Sequence, residues 1–203
     1  MMTGAGNAIV PSTPGRVPRS GNGFTRWLGR TLLRLAGWRV TGTLPDLPRF
    51  IAIASPHTSN WDWALTLSTS FALGVPLNYM VKDSAFFWPL SLFLRATGGV
   101  PTNRLAPLGM VEELAARLRN TPEIVLAITP EGTRARVDNW KSGFLRIAEL
   151  AKLPVLLISW DYPSRILNLG PLAELTGDHE ADLRAIRTYY SQFTGRNPRN
   201  QSS

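Results

Sequence analysis

The chain of 203 residues contains no cysteine and only two histidines, and its 22 Lys and Arg against 14 Asp and Glu give a formal net charge of +8. These counts exclude a disulfide framework, a thiolate zinc site, a thiol nucleophile and a multi-histidine metal site; a site built from carboxylates alone stays open, but we expect neither metal nor cofactor. The basic excess predicts an anionic partner, and a phospholipid surface, a phosphate-bearing substrate and a nucleic acid all qualify.

The N-terminal residues 1–23 are rich in Gly, Pro, Ser and Asn and show no apolar period. Such a segment cannot offset the entropy of ordering, so we predict that it is disordered. It also lacks the apolar core of a secretory signal, and no run in the chain approaches the roughly 18 apolar residues of a spanning helix. The sequence therefore predicts a cytoplasmic protein.

From Phe24 to Trp38 the pattern becomes helical and amphipathic. Such a helix has two interpretations. It can lie in a membrane interface with its arginines near lipid phosphates, or it can pack its apolar side on the core and leave a solvated arginine face. The apolar side comprises Phe24, Leu28, Leu32 and Leu35, and the opposite side comprises Arg26, Arg30 and Arg34, with Leu33 among the arginines.

Short β-like runs and longer helical runs alternate through the rest of the chain. This order predicts an α/β fold, in which a single layered domain over 24–195 has a largely parallel sheet flanked by helices, followed by a polar tail over 196–203. The predicted strands are 50–54, 77–81, 124–128 and 155–160, and the predicted helices are 61–73, 84–97, 107–119, 142–152 and 178–193. We interpret the apolar helix 84–97 as buried in the core rather than as the lining of an acyl groove.

The segment Ser55–Asp62 follows directly on the first predicted strand, and ligands bind at the carboxyl ends of strands in open α/β sheets. A histidine there can take a proton near neutral pH, and a carboxylate on its other ring nitrogen stabilises the imidazolium that forms. His57 and Asp62, separated by four residues, could form this pair. The spacing alone fits equally a loop histidine and an aspartate in the first turn of a helix, where acidic residues are favoured.

Two further turns combine glycine with arginine. Thr129–Arg134 follows the predicted strand 124–128, and 98–104 ends in Arg104. Glycine lets the backbone approach a ligand closely, and arginine presents a planar fork of donors to a phosphate. Taken singly, each is better explained as an ordinary turn with a surface charge.

In this order the blocks resemble the glycerolipid acyltransferases, the family of 1-acylglycerol-3-phosphate and other lysophospholipid acyltransferases. The family's motifs match, in order, His57 with Asp62, the glycine-rich turn 98–104, Glu131–Arg134 and the hydrophobic strand with proline at 153–155. The last block has one proline where the family often has more. Because of such departures from the family, the resemblance specifies the type of reaction better than it specifies the acceptor.

The resemblance implies that His57 is the general base on an acceptor hydroxyl, which attacks an acyl thioester, and that Asp62 orients the imidazole. It implies acyl-CoA or acyl carrier protein as donor, a lysophospholipid such as 1-acylglycerol-3-phosphate as acceptor, and phosphatidic acid as product. The binding residues are then Arg104, Glu131, Gly132, Thr133 and Arg134, with Lys141 as a weaker candidate. Such an enzyme would work as a peripheral protein on the inner face of the cell membrane.

Three alternatives stay open on the sequence. Two arginines could also bind the carboxylate of a lyso-aminolipid acceptor. A non-catalytic basic lipid-binding module would show the same charge. A serine hydrolase would use the same His57 and Asp62, although no Gly-x-Ser-x-Gly motif supports it. We expect no nucleic-acid partner, because the basic residues are scattered and no aromatic residues are interleaved with them.

Overall fold

The computed structural model describes residues 8–102 and 109–202. Within these residues one seven-stranded sheet is flanked by six α-helices. In chain order the elements are α1 (Gly23–Leu35), β1 (Arg39–Gly42), β2 (Arg49–Ser55), α2 (Asn60–Leu73), β3 (Asn78–Lys82), α3 (Leu90–Ala96), β4 (Gly99–Thr102), α4 (Met110–Arg119), β5 (Ile124–Ile128), α5 (Gly143–Ala151), β6 (Val155–Asp161), β7 (Ile166–Leu172) and α6 (His179–Tyr190).

The sheet order is β1-β7-β6-β2-β5-β3-β4. All neighbouring pairs are parallel except β6 with β7, so the predicted α/β class with a largely parallel sheet is confirmed. Strand β2 lies between β6 and β5 and runs parallel to both. The loops that follow these three strands therefore meet at one edge of the sheet, where the site is found.

The centre of the sheet is covered on both faces. Alternate residues of β2 belong to two separate apolar clusters, with Phe50 and Ala52 facing α1 and α2, and Ile51 and Ile53 facing α4 and α5. This is the burial expected of a parallel strand between two helical layers, and it explains why β2 reads as a continuous apolar run. Burial of a side chain such as Phe50 contributes roughly 1.5–3 kcal/mol.

The four predicted strands correspond to β2, β3, β5 and β6, and the prediction missed β1, β4 and β7. Strands β1 and β4 have four residues each, too few to show a period. Both β4 and β7 contain glycine and proline, which usually mark turns. All three lie away from the centre of the sheet. At these positions, pairing with a neighbouring strand makes the segment a strand, and no sequence pattern reveals it.

The predicted disorder of residues 1–23 is wrong for the described part of that segment, from residue 8 onward. Val10 and Val17 are buried in the cluster beside α1 and α2. The backbone is also bonded to the domain, since the Ser20 amide donates to the Gly74 carbonyl at 2.9 Å. Two valines in a Pro- and Gly-rich sequence produce no period, so sequence patterning could not reveal this packing.

Helix α1 packs on α2 through a side that the sequence did not predict. Gly29 and Leu33 are its buried residues, and a Cβ at Gly29 would lie 2.5 Å from backbone atoms of α2. Glycine is needed at this close approach. The predicted apolar side points away from the core, so that Leu35 is 81% exposed and Phe24 and Trp27 are also exposed.

The segment 84–97 is not a buried helix, and that interpretation is wrong. Residues Asp83–Ala85 form a short 3-10 turn, and α3 begins only at Leu90. Leu94 is the buried residue of α3, whereas Trp88 is 79% exposed and Phe87, Leu92 and Phe93 are exposed as well. In the described part of the chain, no helix combines the length and the apolar character required to cross a bilayer.

Candidate active site

The loop between β2 and α2 holds the predicted catalytic pair. Ser59 caps α2, and its hydroxyl accepts a hydrogen bond from the Trp61 amide at 3.2 Å. In return the Asp62 carboxylate accepts from the Ser59 amide at 2.9 Å, which completes a capping box. This local arrangement turns the Asp62 side chain back toward the loop that contains His57.

His57 and Asp62 are in direct contact. Nδ1 of His57 lies 3.1 Å from Oδ2 of Asp62, which also accepts from the Thr58 amide at 2.9 Å. Asp62 is fully buried, whereas the His57 side chain keeps 14% of its surface exposed. A carboxylate on Nδ1 holds the tautomer in which Nε2 can accept a proton. Within the described residues Nε2 has no hydrogen-bond partner, as a general base requires before substrate binds.

Tyr162 completes the surroundings of Asp62, and the sequence did not indicate it. It follows directly on β6, and its hydroxyl donates to Asp62 Oδ1 at 2.5 Å, across 100 residues of sequence. Burial and the neighbouring carboxylate both raise the pKa of Tyr162, so the hydroxyl remains a donor. The available signal was weak: a tyrosine at the carboxyl end of a central strand.

Glu131 follows β5 and lies beneath the His57 loop. It is only 4% exposed, and its Oε1 accepts from the Ser55 hydroxyl at 2.6 Å and from the His57 amide at 3.0 Å. Burial raises its pKa, while the bonds from Ser55 and His57 act in the opposite direction. Glu131 therefore supports the backbone of the loop that carries His57.

The other residues of this motif lie at the surface. Gly132 has φ +64°, a conformation that favours glycine, and the Lys141 side chain lies against it. Thr133, Arg134 and Lys141 are exposed beside the buried Glu131. The structure thus brings His57, Asp62 and Glu131 into contact and leaves the cationic side chains of Arg134 and Lys141 exposed on the neighbouring loop. The candidate Arg104 lies outside the described residues.

The C-terminal residues, predicted only as a polar tail over 196–203, pack on the His57 loop as far as the structure describes them. Asn197 donates from its backbone to Thr58 Oγ1 at 3.1 Å and from its side chain to the Thr58 carbonyl at 2.9 Å. The guanidinium carbon of Arg196 lies 5.1 Å from the centre of the Trp61 ring. The sequence contained no sign of these contacts, because they depend on the chain returning to the carboxyl edge of the sheet.

Nothing in the described ranges, 8–102 and 109–202, gathers three or more His, Asp or Glu side chains in a position to hold a metal ion. The site presents the buried carboxylate of Asp62 and the partly exposed imidazole of His57. Such a pair can take a proton from a bound hydroxyl and later return it to a leaving group.

Comparison with known proteins places this geometry in context. The family model described as Acyltransferase matches residues 39–160, which include His57, Asp62 and Glu131. No curated protein matches the sequence significantly. The fold is similar to the crystal structure of the 1-acyl-sn-glycerophosphate (LPA) acyltransferase PlsC from Thermotoga maritima, with a TM-score of 0.58 and 15% sequence identity, over 85% of this chain and 80% of that chain.

Proposed function

The chain belongs to the acyltransferase family, and we propose that it transfers a fatty acyl group from an acyl thioester to the hydroxyl of a lysophospholipid such as 1-acylglycerol-3-phosphate, giving phosphatidic acid. The observation that carries this proposal is the contact of His57 Nδ1 with the buried Asp62, which leaves Nε2 as a base at the edge of the sheet. The protein from Thermotoga maritima with the similar fold is a 1-acyl-sn-glycerophosphate acyltransferase, which favours the same acceptor.

The reaction needs one proton relay. His57 Nε2 takes the proton of the acceptor hydroxyl as its oxygen attacks the thioester carbonyl carbon. A C–O bond forms and the C–S bond breaks, and the imidazolium returns the proton to the leaving thiolate. Asp62 keeps the imidazole oriented and balances its charge, and general base help of this kind is worth about 10² to 10⁴ in rate. No covalent intermediate on the protein is required.

Cations on the loop that carries Glu131 would bind the phosphate of the acceptor. Arg134 and Lys141 lie exposed on the loop after β5, next to the buried Glu131. An arginine fork and an ammonium are the usual phosphate ligands, and Arg104 would add a second fork. Either acyl-CoA or acyl carrier protein fits this chemistry as donor, because both present the same thioester.

We further propose that the protein works as a peripheral protein on the inner face of the cell membrane. The exposed apolar side of α1 carries Phe24, Trp27 and Leu35, which no other described element covers. Beside this helix a cavity of about 360 Å³ is lined by Arg19, Arg26 and Arg30, and its described lining includes no acidic residue. A helix that carries both exposed apolar side chains and arginines suits a surface of anionic lipid.

The test compares wild type with His57→Ala in detergent micelles that contain 1-acylglycerol-3-phosphate and a pool of acyl-CoA and acyl carrier protein. His179→Ala is the matched control, because this second histidine faces Glu149 on the surface, with Nε2 3.2 Å from the carboxylate. We expect phosphatidic acid from wild type and His179→Ala, and a loss of at least about 100-fold with His57→Ala.

Each other outcome has a definite meaning. Acylation of a lyso-aminolipid instead of 1-acylglycerol-3-phosphate would keep the reaction and change the acceptor. Release of free fatty acid with no acylated product would favour a hydrolase. If wild type transfers nothing to any lyso-lipid, the proposed activity is wrong and a lipid-binding module replaces it.

A further inference from the structure

The C-terminal segment 194–202 lies directly on the catalytic loop. Asn197 binds Thr58 through both its backbone amide and its side chain, and Thr58 in turn donates to Asp62. Gly195 packs so closely that a Cβ there would lie 2.7 Å from Thr58 Oγ1. The segment is therefore in contact with the residue that follows His57.

Both ends of this segment are tied to neighbouring loops. At its start the Thr194 carbonyl accepts from the Tyr162 amide at 3.0 Å, and the Thr194 amide donates to Asp161 Oδ1 at 3.1 Å. At its end Ser202 Oγ accepts from the Val137 amide at 3.1 Å. The segment thus crosses the carboxyl edge of the sheet and connects the loops that follow β6, β2 and β5.

Arg196 is the cation that this segment places on Trp61, the residue that precedes Asp62. Its guanidinium lies over the Trp61 ring at 5.1 Å, a distance at which cations are attracted to an aromatic face. In the described part of the chain it forms neither an ion pair nor a hydrogen bond. Burial raises the pKa of Tyr162, and the positive charge of Arg196 lowers it by a smaller amount.

We propose that Arg196 binds a phosphate group of a substrate at the mouth of the His57 site. This inference rests on the proposed acyl transfer. The Trp61 ring holds the guanidinium plane and Asn197 holds the backbone, so little side-chain entropy is lost when a phosphate binds. The free donors of the guanidinium match phosphate oxygens in a bidentate arrangement. The phosphate belongs either to the acceptor or to the donor, as in the phosphates of CoA or of a phosphopantetheine arm.

The experiment uses the full chain with Arg196→Gln, Arg196→Lys and the control Arg199→Gln. Arg199 is exposed in the same segment, and among the described residues its guanidinium stacks on no aromatic ring. Steady-state kinetics compare two acceptors, lysophosphatidic acid and monoacylglycerol, and two donors, acyl-CoA and acyl-N-acetylcysteamine. In each pair the first substrate carries phosphate and the second does not. Thermal unfolding establishes that all variants are folded.

For Arg196→Gln we expect the KM of one phosphate-bearing substrate to rise about tenfold or more, because a charged hydrogen bond is lost. We expect kcat to change by less than about twofold. The substrate that lacks the phosphate should be unaffected, Arg196→Lys should restore part of the affinity, and Arg199→Gln should behave as wild type. A rise confined to lysophosphatidic acid assigns the acceptor phosphate, and a rise confined to acyl-CoA assigns the donor. An equal KM for wild type and Arg196→Gln with all four substrates overturns the proposal.

Calorimetric binding of CoA and of glycerol 3-phosphate separates this inference from the proposed function. If wild type transfers no acyl group but binds one of these ligands in a manner that Arg196→Gln weakens, the phosphate site stands and the activity is wrong. If transfer is intact while neither binding nor KM responds to Arg196→Gln, the activity stands and the phosphate site is wrong.

Discussion

The hydroxyl of Tyr162 lies 2.5 Å from Oδ1 of Asp62, on the carboxylate oxygen opposite to the one that contacts His57. Each oxygen of this buried carboxylate therefore has its own partners, and the plane of the carboxylate is fixed relative to the imidazole. We propose that Tyr162 is a positioning residue, because its hydroxyl contacts Asp62 and would act on the reaction through that carboxylate.

Replacing Tyr162 by phenylalanine should lower kcat about tenfold, a loss of about 1.4 kcal/mol, and leave KM for both substrates unchanged. The reason is that Asp62 Oδ1 loses its donor and the carboxylate can rotate away from Nδ1 of His57. Stability should fall by about 1–3 kcal/mol, because a buried acceptor is left unsatisfied. Initial rates and urea unfolding measure the two effects.

Tyr189→Phe is the matched control for that change. It also removes a partly buried tyrosine hydroxyl, one that accepts from Asn168 at 3.1 Å instead of bonding Asp62. We expect it to lose stability without a change in kcat. Equal kcat values for the two phenylalanine variants would contradict the positioning role of Tyr162.

Glu131 should influence stability in a pH-dependent manner. Burial raises its pKa above the ordinary value of 4.5, so the native state holds this proton more tightly than the unfolded chain does. Its contribution to stability is therefore present below pH 4.5 and is lost as the pH rises through the raised pKa. The free energy of unfolding of Glu131→Gln should therefore rise relative to that of wild type between about pH 4 and about pH 7. Urea unfolding at both pH values measures this difference, and a difference that does not change with pH would refute the prediction.

The same residue can be tested for its part in catalysis. A glutamine side chain in place of Glu131 would keep an oxygen for the Ser55 hydroxyl and the His57 amide, so Glu131→Gln should retain kcat within about threefold. Glu131→Ala releases the loop and should lose about tenfold or more in kcat. Initial rates at saturating substrate measure both variants. Substrate binding by Glu131 would give a different result, in which both variants raise KM for the acceptor.

Gly195→Ala should displace the C-terminal segment from the His57 loop. Its Cβ would meet Thr58 Oγ1 at 2.7 Å, and overpacking of this kind costs roughly 1–3 kcal/mol. We expect a lower melting temperature together with a lower kcat, because Thr58 also donates to Asp62. Gly15→Ala is the control, since a Cβ there meets nothing within 4 Å, and its stability should stay within about 0.5 kcal/mol of wild type. Identical melting curves for the two variants would speak against the packing of the segment.

The apolar side of α1 should determine membrane affinity. Phe24→Ser with Leu35→Ser removes two exposed apolar side chains, so binding to vesicles of anionic phospholipid in a flotation assay should weaken about tenfold or more while stability stays unchanged. Leu175→Ser, at an exposed leucine outside α1, is the control and should bind as wild type. Equal binding by both proteins would place the membrane contact elsewhere.

The sequence by itself determined the local features of this protein. The short apolar runs of β2, β5 and β6 predicted strands, and their alternation with helical runs predicted a largely parallel sheet, which the structure has. The spacing of His57 and Asp62 allowed them to pair, and the pair forms because Ser59 and Asp62 make a capping box that turns the carboxylate toward the preceding loop. These features depend on contacts within a few residues, and a pattern of residues can encode them.

Only the tertiary structure decided which distant groups surround that pair. Tyr162 reaches Asp62, Glu131 reaches the His57 amide and Arg196 reaches Trp61. They come from three other segments, since strands that are far apart in sequence end at one edge of the sheet. The orientation of α1 was likewise decided by packing: its periodicity defines two sides but does not say which one the core covers, and the close approach at Gly29 selected the side that carries Leu33.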